Sequence, residues 1–291
     1  MAAERVLVVR MGAMGDVIHA LPAATWLKRQ GAEVTWVIEP RWRPLLAEIP
    51  AIEFNRRSRH SVLSALPQLL GFSRAYDLQG LIKSAVVARW ASGDVTGFAD
   101  PREGPAGWFY SKSIVRPTGH VVDQYRHLVG ASGPPEFPLP PGRPEGRLPD
   151  GPFVLASPEA GWRSKQWPRE YFDQLRSLLP WPLVLNGPPG SGLDHESSIE
   201  GLIDATRRAS AVIGVDSGPL HLAAALGKPG VAIFGPTDPE RNGPYGGTIT
   251  VLRDPSAVTT YRRGTEIDPA MRSISPGAVW DALKRVLEDK I

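Results

Sequence analysis

Cysteine is absent from the 291 residues, which rules out disulfides and thiolate metal sites. No run of about 18 apolar residues occurs, so no membrane-spanning helix is expected. The opening MAAERVLVVRMG places an acid ahead of a short apolar run and lacks the form of a signal peptide. These absences together lead us to expect a soluble, cytoplasmic protein. Several catalytic signatures are missing as well. GxxxxGK[ST] does not occur, so there is no P-loop, and no GxSxG elbow is found. HExxH is absent and the six histidines are scattered, which gives no zinc-site pattern. The first glycines, Gly12 and Gly15, are spaced GxxG rather than GxGxxG, against a nicotinamide oxidoreductase. The formal charge is only +3 at neutral pH, too small to imply nucleic acid by itself. Its one dense basic cluster, NRRSRH at 55–60, suits either an anionic partner or a solvated face.

What is present alternates. RVLVV (5–9), EVTWVIE (33–39), AYDLQ (75–79) and GDVTGF (93–98) read as strands. Helical signals fall at 16–29, 61–71, 81–91 and 119–130, with Pro22 expected to kink or split the first. Eight prolines between 134 and 152 exclude helix and central strand there and read as an extended linker. The alternation then resumes. Strands are expected at 153–157, 182–187, 211–216, 230–235 and 248–252, and helices at 168–179, 199–209, 218–227 and 276–289. This pattern predicts an α/β chain of two lobes with mostly parallel sheets, 1–133 and 153–291, joined by 134–152. Ligands of such sheets bind beyond the carboxyl ends of the strands, which for two facing lobes is the cleft between them.

Four loops at predicted strand ends carry chemistry. MGAMGDVIHALPA (11–23) holds Asp16 in a glycine loop, where glycine lets the backbone approach a ligand. VDSGPLHLAAALG (215–227) sets cap-type residues, Gly218 and Pro219 at a helix start, with Gly227 closing the helix. It suits a phosphate, or is simply a well-capped helix. PEAGWRSKQWP (158–168) puts Arg163 and Lys165 beside two tryptophans, as a diphosphate loop or a solvated one. FGPTDPERNGPYG (234–246) is a rigid loop able to wall a nucleotide site.

Five stretches in order resemble glycosyltransferase family 9, the ADP-heptose:lipopolysaccharide heptosyltransferases. They are RMGAMGDVIHALPA (10–23), DLQGLIKSA (77–85), SKQWP (164–168), VDSGPLHLAAALGKP (215–229) and FGPTDP (234–239). DLQGLIKSA is similar to the branch that adds the first heptose. The resemblance implies a GT-B fold, two Rossmann-like lobes with parallel sheets facing across a cleft, acceptor mainly on the first and donor on the second. It implies an inverting, metal-independent transfer of heptose from ADP-heptose to the Kdo-lipid A inner core, without a cofactor.

By that resemblance Asp16 is the general base and Lys165 stabilises the leaving ADP. Met14, Gly15, Lys165, Asp216, Ser217, Gly218 and His221 bind donor, with Asp216 on sugar hydroxyls. Arg10, Arg56, Arg57, Lys83, Arg102, His120 and Arg126 match or lie near the acceptor-side basic residues. Trp108 and Phe109 are expected to pack inside rather than lean on lipid. The lipid acceptor implies peripheral contact with the cytoplasmic face of the inner membrane.

The chain departs from the family in two places. Ala160 and Gly161 stand where threonines are common, and 188–197 is shortened near the ribose, where Glu196 is one candidate for the family's acid. Another family branch, with a different sugar or acceptor, and a non-catalytic nucleotide-binding scaffold are the alternatives.

Overall fold

The short apolar runs pair into two parallel sheets. The computed structural model describes residues 3–288 apart from 56, 57, 59, 60, 62 and 63. The chain divides into two units, Met1–Pro140 and Pro141–Ile291, and the division falls inside the proline-rich segment.

In the first unit, strands β1 (Arg5–Val9), β2 (Glu33–Ile38), β3 (Ala51–Glu53), β4 (Arg74–Asp77), β5 (Val95–Phe98) and β6 (Lys112–Ile114) lie in the order β3-β2-β1-β4-β5-β6. Every pairing is parallel. Val6 to Val9 are all buried, as expected of a central strand covered on both faces. Helix α1 (Met14–Arg29) follows β1, α2 (Ile82–Ala91) follows β4, and α3 (Val121–Leu128) packs on α1. The core gathers Leu7, Val9, Met11, Val37, Ile52, Phe54, Leu69 and Phe72. The strand order reverses between β1 and β4, and ligands of such sheets bind outside the carboxyl ends of that pair.

The second unit repeats the order. Strands β7 (Val154–Ser157), β8 (Leu183–Gly187), β9 (His195–Glu196), β10 (Ala211–Val215), β11 (Gly230–Phe234) and β12 (Ile249–Arg253) run β12-β11-β10-β7-β8-β9, again all parallel. Its reversal lies between β7 and β10. Helices α4 (Arg169–Leu178), α5 (Ile199–Arg208) and α6 (Gly218–Ala225) follow β7, β9 and β10, and α7 (Pro239–Asn242), α8 (Pro269–Ser273) and α9 (Pro276–Glu288) complete the unit. The closing helix α9, which the sequence leaves free to return to the first lobe, packs in its described span on α4, β11 and β12 of its own unit.

Several sequence expectations change. Helix α1 is not split at Pro22. It is buried on nearly every side, so surrounding packing holds it across the missing proline N–H. β3, β6 and β9 have three residues or fewer, too short to leave an apolar period. The described part of 61–71 ends as a 3₁₀ turn, Leu66–Leu69, around Pro67. The linker is extended but not free. Glu145 accepts the Ser198 backbone N–H and hydroxyl at 2.7 Å each, ahead of α5, and Arg143 N–H donates to the Glu200 carbonyl at 3.1 Å. Proline density forbids regular structure there, yet leaves carboxylates and carbonyls able to dock. The bonds from Ser198 hold the Glu145 carboxyl below the usual range.

Candidate active site

β1 ends at Val9 and β4 at Asp77, the two strands flanking the reversal, so the residues that follow them lie together. Arg10 Nη2 meets Asp16 Oδ2 at 2.5 Å. Asp16 is in the first turn of α1, and the same oxygen accepts the Ala13 backbone N–H at 3.1 Å. That satisfies one of the helix's orphan donors. Both partners converge on Oδ2, and among the described residues Oδ1 has none. The Arg10 side chain is 8% exposed and that of Asp16 41%, so a buried cation supports a carboxylate that reaches solvent. Burial opposes the charge on Arg10, but Asp16, with Tyr125 and Asp77, outweighs it and raises the guanidinium pKa. Asp16 therefore sits beside a permanent positive charge.

The loop carrying Arg10 is pinned on both flanks. Arg10 N–H donates to the Val37 carbonyl and Glu39 N–H to the Met11 carbonyl. On the other side Met11 N–H donates to Gln79 Oε1 at 2.9 Å, and Arg10 Nη1 to the Leu78 carbonyl at 3.4 Å. The DLQG turn is in turn organised by Asp77. Its carboxylate accepts the N–H groups of Gln79 and Gly80, the Ser84 hydroxyl and the Tyr110 hydroxyl, all between 2.8 and 3.1 Å. Burial pushes the Asp77 carboxyl up in pKa, and these four donors only partly offset it. Gly80 has φ +69°, and an added Cβ would lie 3.0 Å from the Arg102 nitrogen, so glycine is required at this turn. Gly12 meets a different limit: a Cβ there would lie 2.6 Å from Trp42 Nε1.

In the second unit the loops after β7 and β10 converge in the same way. Lys165 Nζ lies 2.6 Å from Asp216 Oδ2, and Thr237 donates its hydroxyl to that oxygen at 2.7 Å. His221 Nε2 is 3.6 Å from Oδ1. The side chains of Lys165 and Asp216 are 17% and 9% exposed. Burial would raise the Asp216 carboxyl, but His221 and Lys165 outweigh it and hold it well below the usual carboxylate range. Lys165 also stands over the Trp162 ring at 4.4 Å, and Arg263 over the same ring at 5.8 Å. Ser217 is the N-cap of α6, Gly218 its first residue, and Pro219 has no N–H to lose. The Ser217 and Ser164 hydroxyls are buried and make no hydrogen bond among the described residues. The dipole at the N-terminus of α6, beside the Lys165–Asp216 pair, suits an anion such as a diphosphate.

Each unit thus gathers part of the expected set. Arg10 and Asp16 form one cluster; Lys165, Asp216, Ser217, Gly218 and His221 form the other. Met14 and Gly15, expected at the donor, are buried in the first turn of α1. Asp216, expected on sugar hydroxyls, is engaged by Lys165, Thr237 and His221. Lys83 is half-buried on α2, and Arg102 is exposed beside the DLQG turn. His120 Nδ1 accepts the Val122 N–H at the start of α3, and its ring lies edge-on to buried His19 at 5.2 Å. Arg126 is tied to Asp123 and to the Gly133 carbonyl. Arg56 and Arg57 lie outside the described residues. Glu196 accepts the N–H groups of Gly190 and Gly192, so it closes the shortened loop on itself. Trp108, expected to pack, is 84% exposed, whereas Phe109 is half-buried. The tryptophan stands on a short 3₁₀ turn, Gly104–Phe109, whose buried residue is Ala106.

Sequence reasoning set two tryptophans beside Lys165 but missed Thr237, Asp77, Gln79 and Tyr110 as members of these clusters. Asp77, Gln79 and Thr237 sit in quoted motifs, which was a usable signal. Tyr110 had none, because only the packing of the 3₁₀ turn on α2 brings it to Asp77.

A family model described as Glycosyltransferase family 9 (heptosyltransferase) matches residues 68–180 and 193–269, more than half of the chain. Lipopolysaccharide heptosyltransferase 1 of Pseudomonas aeruginosa is 29% identical over 83% of this chain and 81% of its own length. The enzyme of the same name from Escherichia coli K12 is 28% identical over 86% of this chain and 94% of its own. Among solved structures, E. coli heptosyltransferase WaaC with ADP is similar at a TM-score of 0.78 and 26% identity, covering 97% of this chain and 99% of that one.

Proposed function

The chain belongs to glycosyltransferase family 9 and has the GT-B fold, and from that premise we propose that it is an inverting heptosyltransferase needing no metal. It transfers heptose to the lipopolysaccharide core, with ADP-heptose as donor and the Kdo-lipid A inner core as acceptor. The observation that carries this reading is the likeness to WaaC with ADP along essentially the whole of both chains.

Asp16 takes the proton of the attacking acceptor hydroxyl through Oδ1, the oxygen left open by Arg10 and Ala13. A carboxylate is a weak base toward an alcohol. The transfer is feasible because the hydroxyl acidifies as the new C–O bond forms, and such assistance is worth about 10²–10⁴-fold. The leaving ADP gains charge as the anomeric carbon is attacked from the opposite face, which inverts its configuration. Lys165 and the N-terminus of α6 meet that charge, and preplaced charge of this kind is commonly the largest catalytic contribution. The buried Asp216 is then the counter-ion that holds Lys165 in place before the diphosphate arrives, and Thr237 and His221 hold Asp216. The acceptor's carboxylates and phosphates suit Arg10, Lys83, Arg102, His120 and Arg126. An acceptor built on a lipid brings the enzyme to the cytoplasmic face of the inner membrane.

The test is turnover of ADP-heptose with Kdo2-lipid A, followed by ADP release and by mass of the product. Release of ADP with a single added heptose of inverted configuration, undiminished by chelator, is the expected result. Turnover only with an already heptosylated acceptor moves the chain to the second-heptose branch. ADP binding without turnover of either acceptor makes it a scaffold.

A further inference from the structure

Nine large apolar side chains are exposed among the described residues, and four of them stand on α2 and the 3₁₀ turn packed against it. Ile82, Val86 and Trp90 are 40%, 43% and 57% exposed, and Trp108 is 84% exposed. At roughly 100° per residue, the three on α2 share one face, and the stripe runs about 12 Å along the axis. Ser84, Ala85, Val87, Ala88 and Ala91 point the other way and are buried. The same rotation puts Arg89 on one border of the stripe and Lys83 on the other, so the whole outward arc spans roughly 120° and holds no acid.

The charge on the α2 arc itself has one sign. Of the neighbouring acids, Asp94 pairs with Arg74 and Asp100 with Arg116, while Glu103 accepts the Ile82 N–H at the start of α2 and keeps its charge. Arg89 donates only to the Ser92 carbonyl, and neither Arg89 nor Arg102 forms an ion pair among the described residues. Apolar side chains between cations, with tryptophans at the edge, are what an anionic bilayer surface accommodates. The apolar groups enter the acyl boundary and the basic groups reach the phosphates. The face is also continuous with the acceptor side, since α2 begins directly after the DLQG turn that holds Arg10 and Met11.

We propose that α2 and the turn Gly104–Phe109 form a membrane-docking face that seats the first unit on an anionic lipid surface. The inference rests on the lipid-linked acceptor of the reading above and names the surface that reaches it.

The experiment is co-sedimentation of the full chain with vesicles lacking acceptor. One set is phosphatidylethanolamine with about one third phosphatidylglycerol, and the other is phosphatidylcholine alone. The wild type should bind the anionic vesicles at least ~10-fold more tightly, and lose that advantage in high salt. Val86→Ser/Trp90→Ser and, separately, Trp108→Ser should weaken binding by about 10-fold or more, while Trp90→Phe retains most of it. All should keep the wild-type melting temperature and turnover of a de-acylated acceptor. Wild type that stays in the supernatant, or a double variant that binds like wild type, overturns the proposal. So does a concentration-dependent dimer that the double variant abolishes without any vesicle binding, which would assign the face to a second copy. Because the vesicles contain no acceptor, these failures leave sugar transfer standing. Vesicle binding without turnover would instead remove the transfer reading alone.

Discussion

Replacing Asp16 separates chemistry from helix capping, because its carboxylate serves both and the two uses respond to different substitutions. Asp16→Asn keeps an oxygen for the Ala13 N–H but loses the negative charge beside Arg10. The ion pair has one buried and one half-exposed partner, at 8% and 41%. Its loss should therefore cost about 2 kcal/mol of stability, between the about 0–1 of an exposed pair and the 3–5 of a broken buried one. Asp16→Ala removes the capping oxygen as well and should cost about 1 kcal/mol more. Both losses leave a domain of ordinary stability folded at 25 °C. The catalytic effect should be nearly the same for the two variants. Without the base, kcat should fall about 10²–10⁴-fold, equivalent to roughly 3–5 kcal/mol of barrier. Urea unfolding gives the first quantity, ADP release with Kdo2-lipid A the second, and calorimetry with ADP should show affinity within a few-fold of wild type. If Asp16→Asn retains more than about a tenth of kcat with its fold intact, Asp16 is a cap and not the base.

Four further outcomes follow from the two clusters. Lys165→Met leaves Asp216 with Thr237 and His221 only and should destabilise the second unit by about 2–4 kcal/mol. Adding Asp216→Asn should recover at least about 1 kcal/mol in a double-mutant cycle by urea denaturation, and strict additivity would deny the coupling. Lys165→Ala should weaken donor binding and slow transfer together, and an unchanged kcat/KM would remove this lysine from the site. Because the folded-state pKa of Asp216 is depressed, its contribution is complete above the unfolded carboxylate range near ~4 and is lost as pH falls below it. The stability advantage of wild type over Asp216→Asn should accordingly shrink between about pH 5 and pH 3, and a difference that grows on acidification contradicts the sign. Gln79→Ala frees the Met11 N–H and should lower kcat several-fold with ADP affinity unchanged; equal loss in both would make it a general folding defect.

The alternation of strand and helix, the two-lobe division and the loops that carry charge were readable along the chain, because they rest on local physics. Buried parallel strands leave continuous apolar runs, glycine and proline mark turns, and a cap residue announces a helix start. Five short motifs in one order were enough to indicate the family. Elements whose stability comes from outside themselves were not readable. α1 runs through Pro22 because packing on nearly all its faces outweighs one lost hydrogen bond. β9 is two residues held by β8, and half of the proline segment is fastened to α5 by Glu145.

The residue types and their places at strand ends are thus properties of the sequence alone. Which strand ends meet is not. Arg10 and Leu78 are 68 positions apart, and Lys165 and Asp216 are 51. Each pair comes together only because the sheet order reverses between β1 and β4, and again between β7 and β10. Strand order is chosen by packing summed over the whole sheet, and no local stretch of chain encodes that sum.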